Sequence, residues 1–306
     1  MWALFIKGFV TVCLLAAAFH FVNFSDFILV LRQSDINYII LAFIIQFVLS
    51  VPQALRWRLI LKHEGVSVKR LSAWYNVLLG LLFNQVLPSS LGGDAIRIYE
   101  ARKLDLRIVF ESVLFDRLFA LFSLSILCLF LLLFFIQPIA EFTLFKSMLA
   151  IVCFTICGIL ILACIGPAVR YFNFLDKPIV ARFVSVCDNF RNLIFSGTIC
   201  FEVIVLSLII HIFVIISGIL IFVGIGVNFS FVEIGAIFAL VNLFSVLPIS
   251  VGGWGLREGL SIFLFAIVNV NYEQALAASM IFGVVMLAVG VLGGALWTVF
   301  GRKGEW

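Results

Sequence analysis

Two segments of the sequence carry the same eight-residue pattern, V-L-P-x-S-x-G-G, at positions separated by 160 residues. The copies occupy 86–93 and 246–253, and an arginine follows each at the same distance, Arg97 and Arg257. Over the twelve positions from valine to arginine, seven residues are identical between the copies. Agreement in so mixed a set of residues indicates an internal repeat.

The residue types in this pattern suit a broken helix that binds an anion. Proline ends a first half-helix, because it lacks an N–H donor and clashes with the preceding turn. Glycines permit a tight return, and serine can bond the backbone groups that the break exposes. A second half-helix that starts after the glycines points its N-terminal N–H groups toward the break, and the arginine adds a full positive charge. The positions concerned are Pro88, Ser90, Gly92, Gly93 and Arg97, then Pro248, Ser250, Gly252, Gly253 and Arg257.

The alternative is that proline and glycine only kink packed helices and let them approach closely. A single break fits either interpretation equally well. Two matching copies, each followed by arginine, favour the anion site.

Further ionisable residues stand near these breaks, and charge inside a bilayer costs at least ~2.5 kcal/mol. Asp94 follows the first glycine pair and could either cap the returning half-helix or take part in function. Asp116 and Arg117 form either an interfacial ion pair or part of a cavity below the first break. Glu258 could pair with the arginine beside it or with the equivalent arginine of the first motif. Gln53, with other polar residues of its segment, could line the same interior.

The composition indicates that the helices carrying these residues lie in a lipid bilayer. Hydrophobic residues make up 64% of the 306 positions and charged residues 12%, and the mean hydropathy is +1.27. These values exclude a soluble protein, and apolar runs of about 20 residues predict spanning helices rather than a barrel. Six such segments cover 3–22, 37–55, 108–136, 147–166, 198–223 and 273–299, and two interrupted ones cover 72–104 and 233–269.

The distribution of basic residues predicts the topology. Lysine and arginine concentrate in the predicted loops 56–70 and 167–197, the second of which includes an amphipathic piece at 183–193, and at the C-terminus. If both interrupted segments enter and return on one side, all these regions and both termini are cytoplasmic, as the positive-inside rule requires. If both cross fully, the loop 167–197 moves outside, against that rule. We therefore predict an all-α polytopic membrane protein with about six spanning helices and two re-entrant broken-helix hairpins forming an inverted repeat. It forms one integral membrane domain over 1–306, with the repeat motifs at 84–100 and 244–260.

Metal and nucleotide chemistry find no support in the sequence. There are three histidines and seven cysteines, without metal-ligand spacing, and we interpret the cysteines as small packing residues. A P-loop, a nucleophile elbow and a dinucleotide fingerprint are all absent. We expect no metal and no cofactor.

Three runs of sequence resemble a known family. They are N-Q-V-L-P-S-S-L-G-G-D-A-I-R at 84–97, F-D-R-L at 115–118 and L-P-I-S-V-G-G-W-G-L-R-E-G at 247–259. They resemble the lysylphosphatidylglycerol synthase transmembrane-region family, also described as flippase-like or UPF0104 proteins. The resemblance implies a membrane domain that moves lipids. The larger synthases add a soluble domain for aminoacyl transfer, and since this sequence stops at Trp306, we do not predict that activity. By position the family pattern carries over Pro88, Gly92, Gly93, Asp94, Arg97, Asp116, Arg117, Pro248, Gly252, Gly253 and Glu258, while Arg257 comes from the internal repeat.

The leading hypothesis is a flippase or exporter for an anionic or phosphate-bearing lipid, such as a glycerophospholipid or a polyprenyl phosphate. Its headgroup would sit between the two breaks, near Arg97 or Arg257, in the cytoplasmic (inner) membrane of a bacterium. One alternative is a membrane-embedded lipid transferase with Asp94 or Asp116 as base. The other is a non-catalytic partner of a separate lipid-modifying enzyme. We expect no nucleic acid partner.

Overall fold

The computed structural model describes residues 2–87, 92–135, 143–171, 178–227, 230–247 and 249–300. Every regular element in these ranges is helical, which confirms the all-α prediction. Pro88, Ser90 and Pro248, three of the predicted motif residues, lie outside the described residues. The helices are α1 Trp2–His20, α2 Phe24–Gln33, α3 Ile36–Val48, α4 Ser50–His63, α5 Arg70–Val86, α6 Gly92–Glu100, α7 Leu106–Phe135, α8 Thr143–Tyr171, α9 Pro178–Ile194, α10 Thr198–Gly224, α11 Phe231–Ser245, α12 Leu256–Phe265, a 3-10 turn Ala266–Val268, and α13 Tyr272–Phe300.

Five helical segments among the described residues are long and apolar enough to cross a membrane. They are Ile36–His63, Leu106–Leu133, Lys146–Val169, Thr198–Gly224 and Tyr272–Phe300. A sixth is present if α1 and α2 count as one span, since they pass the same test together but are bent by 91°. Asn23 lies at this bend and caps the start of α2, since its side chain accepts a hydrogen bond from the Ser25 N–H. The number of spans therefore agrees with the predicted six.

The second span is longer than the sequence suggested. The predicted basic loop 56–70 is wrong over its first half, since α4 continues to His63 and carries Arg56 as a buried residue. Pro52 does not end the helix, because it lies in the first turn of α4, where a backbone N–H has no partner within its own helix. One basic side chain thus enters the protein interior instead of remaining in a cytoplasmic loop.

The predicted loop 167–197 is also largely helical, as the amphipathic piece within it indicated. The apolar face of α9 is buried at every third residue, at Val184, Cys187, Phe190 and Leu193. Phe190 packs against two aromatic rings of α7, with ring centroids 5.3 and 5.6 Å away. The helix is therefore held by the protein itself as well as by any membrane surface it meets.

Both interrupted segments fold as pairs of helices that pack together. In the first pair α6 runs back along α5, since Gly93 lies against Gly80 and the Arg97 carbonyl accepts from Asn76 one turn earlier on α5. A Cβ on Gly93 would overlap the Gly80 carbonyl oxygen, so only glycine permits this approach. In the second pair α12 packs against α11 after the break.

The long helix α13 supports both pairs, one on each half. Its C-terminal half packs against α5 through glycine, with Gly290 at Leu82 and Gly293 at Leu78. Its N-terminal half packs against α12, where Arg257 bonds Ser279. The two pairs meet near the middle of α13, between Gly283, which contacts the second pair, and Gly290, which contacts the first. Whether they enter from opposite membrane faces, as an inverted repeat requires, stays a prediction that cysteine labelling can test.

Candidate functional site

A cavity of about 300 Å³ lies between the first helix pair and the surrounding helices α3, α4, α7, α10, α11 and α13. Its lining contains both apolar and polar side chains, and the polar ones come from seven helices. They are Gln46, Gln53, Arg56, Asn84, Arg97, Asp116, Arg117, His211 and Asn242.

The polar wall is organised by a chain of ion pairs. Arg56 Nε lies 2.7 Å from Asp116 Oδ1, and Arg97 Nη1 lies 3.3 Å from the other oxygen of the same carboxylate. Arg117 Nε lies 2.7 Å from Asp94 Oδ2, and Arg97 Nη1 lies 3.6 Å from Asp94 Oδ1. The structure thus brings the predicted residues Asp94, Arg97, Asp116 and Arg117 into one cluster, to which it adds Arg56.

This charge cluster lies deep in the helical body. Asp116 is ten residues after the start of α7, about 15 Å along the helix. Four of its five side chains are at most 8% exposed, whereas Arg117 is 33% exposed. Three guanidinium groups face two carboxylates, so the cluster carries one positive charge in excess among the described residues. Such an excess is costly at membrane depth unless an anion joins it.

Arg97 is the central member of the cluster. Its guanidinium stacks over the Trp57 ring, 4.7 Å from the centroid, and Gly80 leaves room for its side chain, since a Cβ there would lie 2.7 Å from Arg97 Cδ. Its Nε and Nη2 have no hydrogen-bond partner among the described residues. Asp94 pairs with arginine side chains rather than capping α6, as its carboxylate contacts show.

The second motif holds its arginine differently. Arg257 Nη2 donates to Glu258 Oε1 at 2.7 Å, and its Nε lies 3.3 Å from Ser279 Oγ. The guanidinium also stacks over Trp254, 5.0 Å from the ring centroid. Glu258 is fully buried, and its other oxygen accepts the Gly255 N–H at the start of α12. Of the two partners considered for Glu258, the structure selects Arg257, and neither residue lines the cavity.

The remaining residues of the second motif lie where the two breaks meet. Gly252 and Gly253 have positive φ angles of 56° and 81°, which favour glycine. A Cβ on Gly252 would lie 3.1 and 3.2 Å from the carbonyl oxygens of Gln85 and Asn84, at the end of α5. Ser250 is buried, and its hydroxyl has no hydrogen-bond partner among the described residues. The second break therefore packs against the C-terminal end of α5, directly before the first break.

The two second half-helices do not begin at equivalent points. The prediction that each starts after its glycines agrees with α12, which begins at Leu256, but α6 already begins at Gly92. Packing against α5 explains the difference. Gly93 contacts Gly80, and its N–H donates to Asn84 Oδ1, so the helix already includes the glycines where it meets α5.

Sequence reasoning missed two polar residues of the cavity. Arg56 reads as a loop residue because it follows an apolar segment, and its partner Asp116 is 60 positions away. His211 lies within a long apolar run with no charged residue nearby in the sequence to suggest a polar cavity, but its Nε2 lies 2.9 Å from the Ala120 carbonyl oxygen, which links α10 to α7. A signal for Arg56 was present, since α4 continues with apolar residues at helical spacing beyond it. Among the described residues no three His, Cys, Asp or Glu side chains converge on a possible metal position.

Comparison with known proteins places these features in context. A family model described as the lysylphosphatidylglycerol synthase TM region matches residues 4–294. A UPF0104 membrane protein of Methanocaldococcus jannaschii is 33% identical over 120 residues, which cover 36% of this chain and 36% of that protein. The chain thus spans about a third of the length of this curated relative. The family match and the apolar helices together identify an integral membrane protein and confirm the resemblance drawn from the motifs.

Proposed function

Since the chain belongs to the lysylphosphatidylglycerol synthase transmembrane-region family, we propose that it translocates an anionic, phosphate-bearing lipid across the membrane. The headgroup binds in the cavity beside Arg97 and Arg117, while the acyl tails stay in the surrounding lipid. The observation that carries this proposal is the charge imbalance of the buried cluster, three guanidinium groups against two carboxylates.

The cluster suits a phosphate group in both charge and geometry. The planar guanidinium presents paired N–H donors that match phosphate oxygens. Each carboxylate already lies 2.7 Å from one arginine, Asp116 from Arg56 and Asp94 from Arg117. The carboxylates therefore fix the arginines in place and leave the excess charge around Arg97 for the ligand. A base role for either aspartate would require breaking an ion pair, which favours transport over transfer chemistry.

In this proposal, the headgroup is exposed to each side of the membrane by movement at the contact between the two breaks. We take the helix pairs as an inverted repeat in the cytoplasmic (inner) membrane of a bacterium, with both termini cytoplasmic. Transporters with paired discontinuous helices place the substrate near such a contact and expose it to each side in turn. The contact of Gly252 with the end of α5 lies next to Asn84, which lines the cavity.

Replacement of Arg97 by glutamine tests the proposal. The variant removes the excess charge but leaves Asp116 with Arg56 and Asp94 with Arg117, so the fold keeps both close ion pairs. The loss of one charged hydrogen bond, about 1.5–3 kcal/mol, predicts a fall in translocation of about 10-fold to 100-fold. The rate is measured with purified protein in liposomes that contain phosphatidylglycerol with a fluorophore on one acyl chain. Dithionite quenches the fluorophore in the outer leaflet, so the loss of the remaining fluorescence reports translocation from the inner leaflet.

Arg97→Lys is the matched control, because it keeps the positive charge at the same position. It should retain a larger part of the activity than Arg97→Gln. Both variants must elute as monodisperse protein before comparison. Translocation at the wild-type rate by a folded Arg97→Gln protein would contradict the proposal. A new lipid product, detected by mass spectrometry after incubation in detergent, would instead favour the transferase alternative.

A further inference from the structure

We propose that the cavity selects a headgroup that carries hydroxyl groups on a phosphodiester and no amine. This inference rests on the proposed function, and it names the substrate class of the same site. It comes from the amide side chains of the cavity, which the binding of phosphate alone does not use.

Four amides line the cavity, and each has at least one end without a hydrogen bond to the described residues. Gln46 donates its Nε2 to Ser217 Oγ, Asn242 donates its Nδ2 to the Phe238 carbonyl, and Asn84 accepts through its Oδ1. Their other ends make no such bond, and neither end of Gln53 does. The partners fix the orientation of these three amides, because the reversed orientation would bring two acceptors or two donors together.

Amides of this kind recognise hydroxyl groups. An amide offers a donor at one end and an acceptor at the other, and a hydroxyl group both donates and accepts. A volume of about 300 Å³ is at the lower limit of small-molecule sites, so it holds a headgroup such as glycerol or a single sugar rather than a whole lipid.

An amine fits this cavity poorly. The carboxylate among its lining residues is Asp116, and both of its oxygens already lie within 3.3 Å of an arginine nitrogen. The cluster has an excess positive charge, which repels an ammonium group and is neutralised by a single negative charge. A phosphodiester carries that one charge, so the site favours a monoanionic, hydroxylated headgroup over an aminoacylated or zwitterionic one.

A set of acyl-labelled lipids separates these features in the liposome assay. Phosphatidylglycerol has the charge and the hydroxyls, phosphatidylmethanol has the same charge without hydroxyls, and phosphatidylethanolamine and lysylphosphatidylglycerol carry an amine. We expect phosphatidylglycerol to move about threefold to tenfold faster than phosphatidylmethanol, the effect of one hydrogen bond, and both amine lipids to move more slowly still.

Gln53→Leu tests the amides directly, because Gln53 makes no side-chain hydrogen bond that the fold would lose. The variant should slow phosphatidylglycerol more than phosphatidylmethanol, so that the ratio of the two rates falls toward one. Gln33→Leu on the exposed end of α2 is the control, and it should alter neither rate.

The outcomes distinguish this inference from the proposed function. Equal rates for phosphatidylglycerol and phosphatidylmethanol, or faster movement of an amine lipid, overturn the inference while translocation itself stands. Absence of movement for every lipid overturns both. Radiolabelled glycerophosphoglycerol trapped in the liposomes tests a soluble substrate of the same chemistry, and its release at the rate of the lipid would overturn the proposed lipid substrate rather than the selectivity of the cavity.

Discussion

The two repeat arginines occupy equivalent positions in the sequence but differ in what balances their charge. Arg257 has its own carboxylate partner, Glu258, next to it in the chain, and the pair is neutral. Arg97 shares its two carboxylates with two other arginines. The same residue of the repeat thus belongs to a neutral pair in one copy and to a cluster with excess positive charge in the other, and we propose that only the second binds the lipid.

Arg257→Gln should destabilise the protein more than Arg97→Gln does. It leaves Glu258, which is fully buried, without a countercharge, and a broken buried pair costs about 3–5 kcal/mol. Thermal unfolding of the detergent-solubilised protein, followed by intrinsic tryptophan fluorescence, measures the difference. The double variant with Glu258→Gln should regain part of the loss, because it removes the unpaired charge. Equal midpoints for the wild type and Arg257→Gln would contradict this role.

At the scale of elements, the sequence predicts helices well and their ends poorly. Apolar run length and the Pro and Gly-Gly breaks predict the spans and both helix pairs, since these signals are local. The extension of the second span beyond residue 55 was not predicted, because Arg56 is stabilised by Asp116 on another helix. For the same reason the sequence suggested four members of the charge cluster but neither their pairing nor the fifth.

The close packing of α6 on α5 makes a testable demand on Gly93. Gly93→Ala introduces a methyl group that overlaps the Gly80 carbonyl oxygen, so α6 must move away and carry Arg97 with it. We expect a loss of stability of about 1–3 kcal/mol and a fall in lipid translocation of at least tenfold, on the same scale as for Arg97→Gln. Gly259→Ala on α12 is the control, because a Cβ there meets nothing within 4 Å. Similar behaviour of the two variants would show that the α5–α6 contact is not limiting.

At the scale of the whole molecule, α13 is the common support on which the two helix pairs meet. Gly290 and Gly293 admit α5 along one half, and Ser279 receives Arg257 on the other half. In the first pair, α6 runs back along α5. In the second pair, α12 runs along α13 toward Tyr272, at the N-terminal end of α13. This arrangement is compatible with re-entrant pairs from opposite faces, and it specifies which surface residues must share a side.

Single cysteines in a variant without the seven native cysteines test that arrangement. Ser67→Cys and Lys103→Cys flank the first pair at exposed positions, and Asn271→Cys lies exposed after the second pair. If both pairs are re-entrant and the termini are cytoplasmic, the first two react with a membrane-impermeant maleimide only after permeabilisation of the cells, whereas Asn271→Cys reacts in intact cells. A first pair that crosses fully would place Ser67→Cys and Lys103→Cys on opposite sides. The basic loops would then contradict the positive-inside rule, and the two breaks could no longer act as gates from opposite faces.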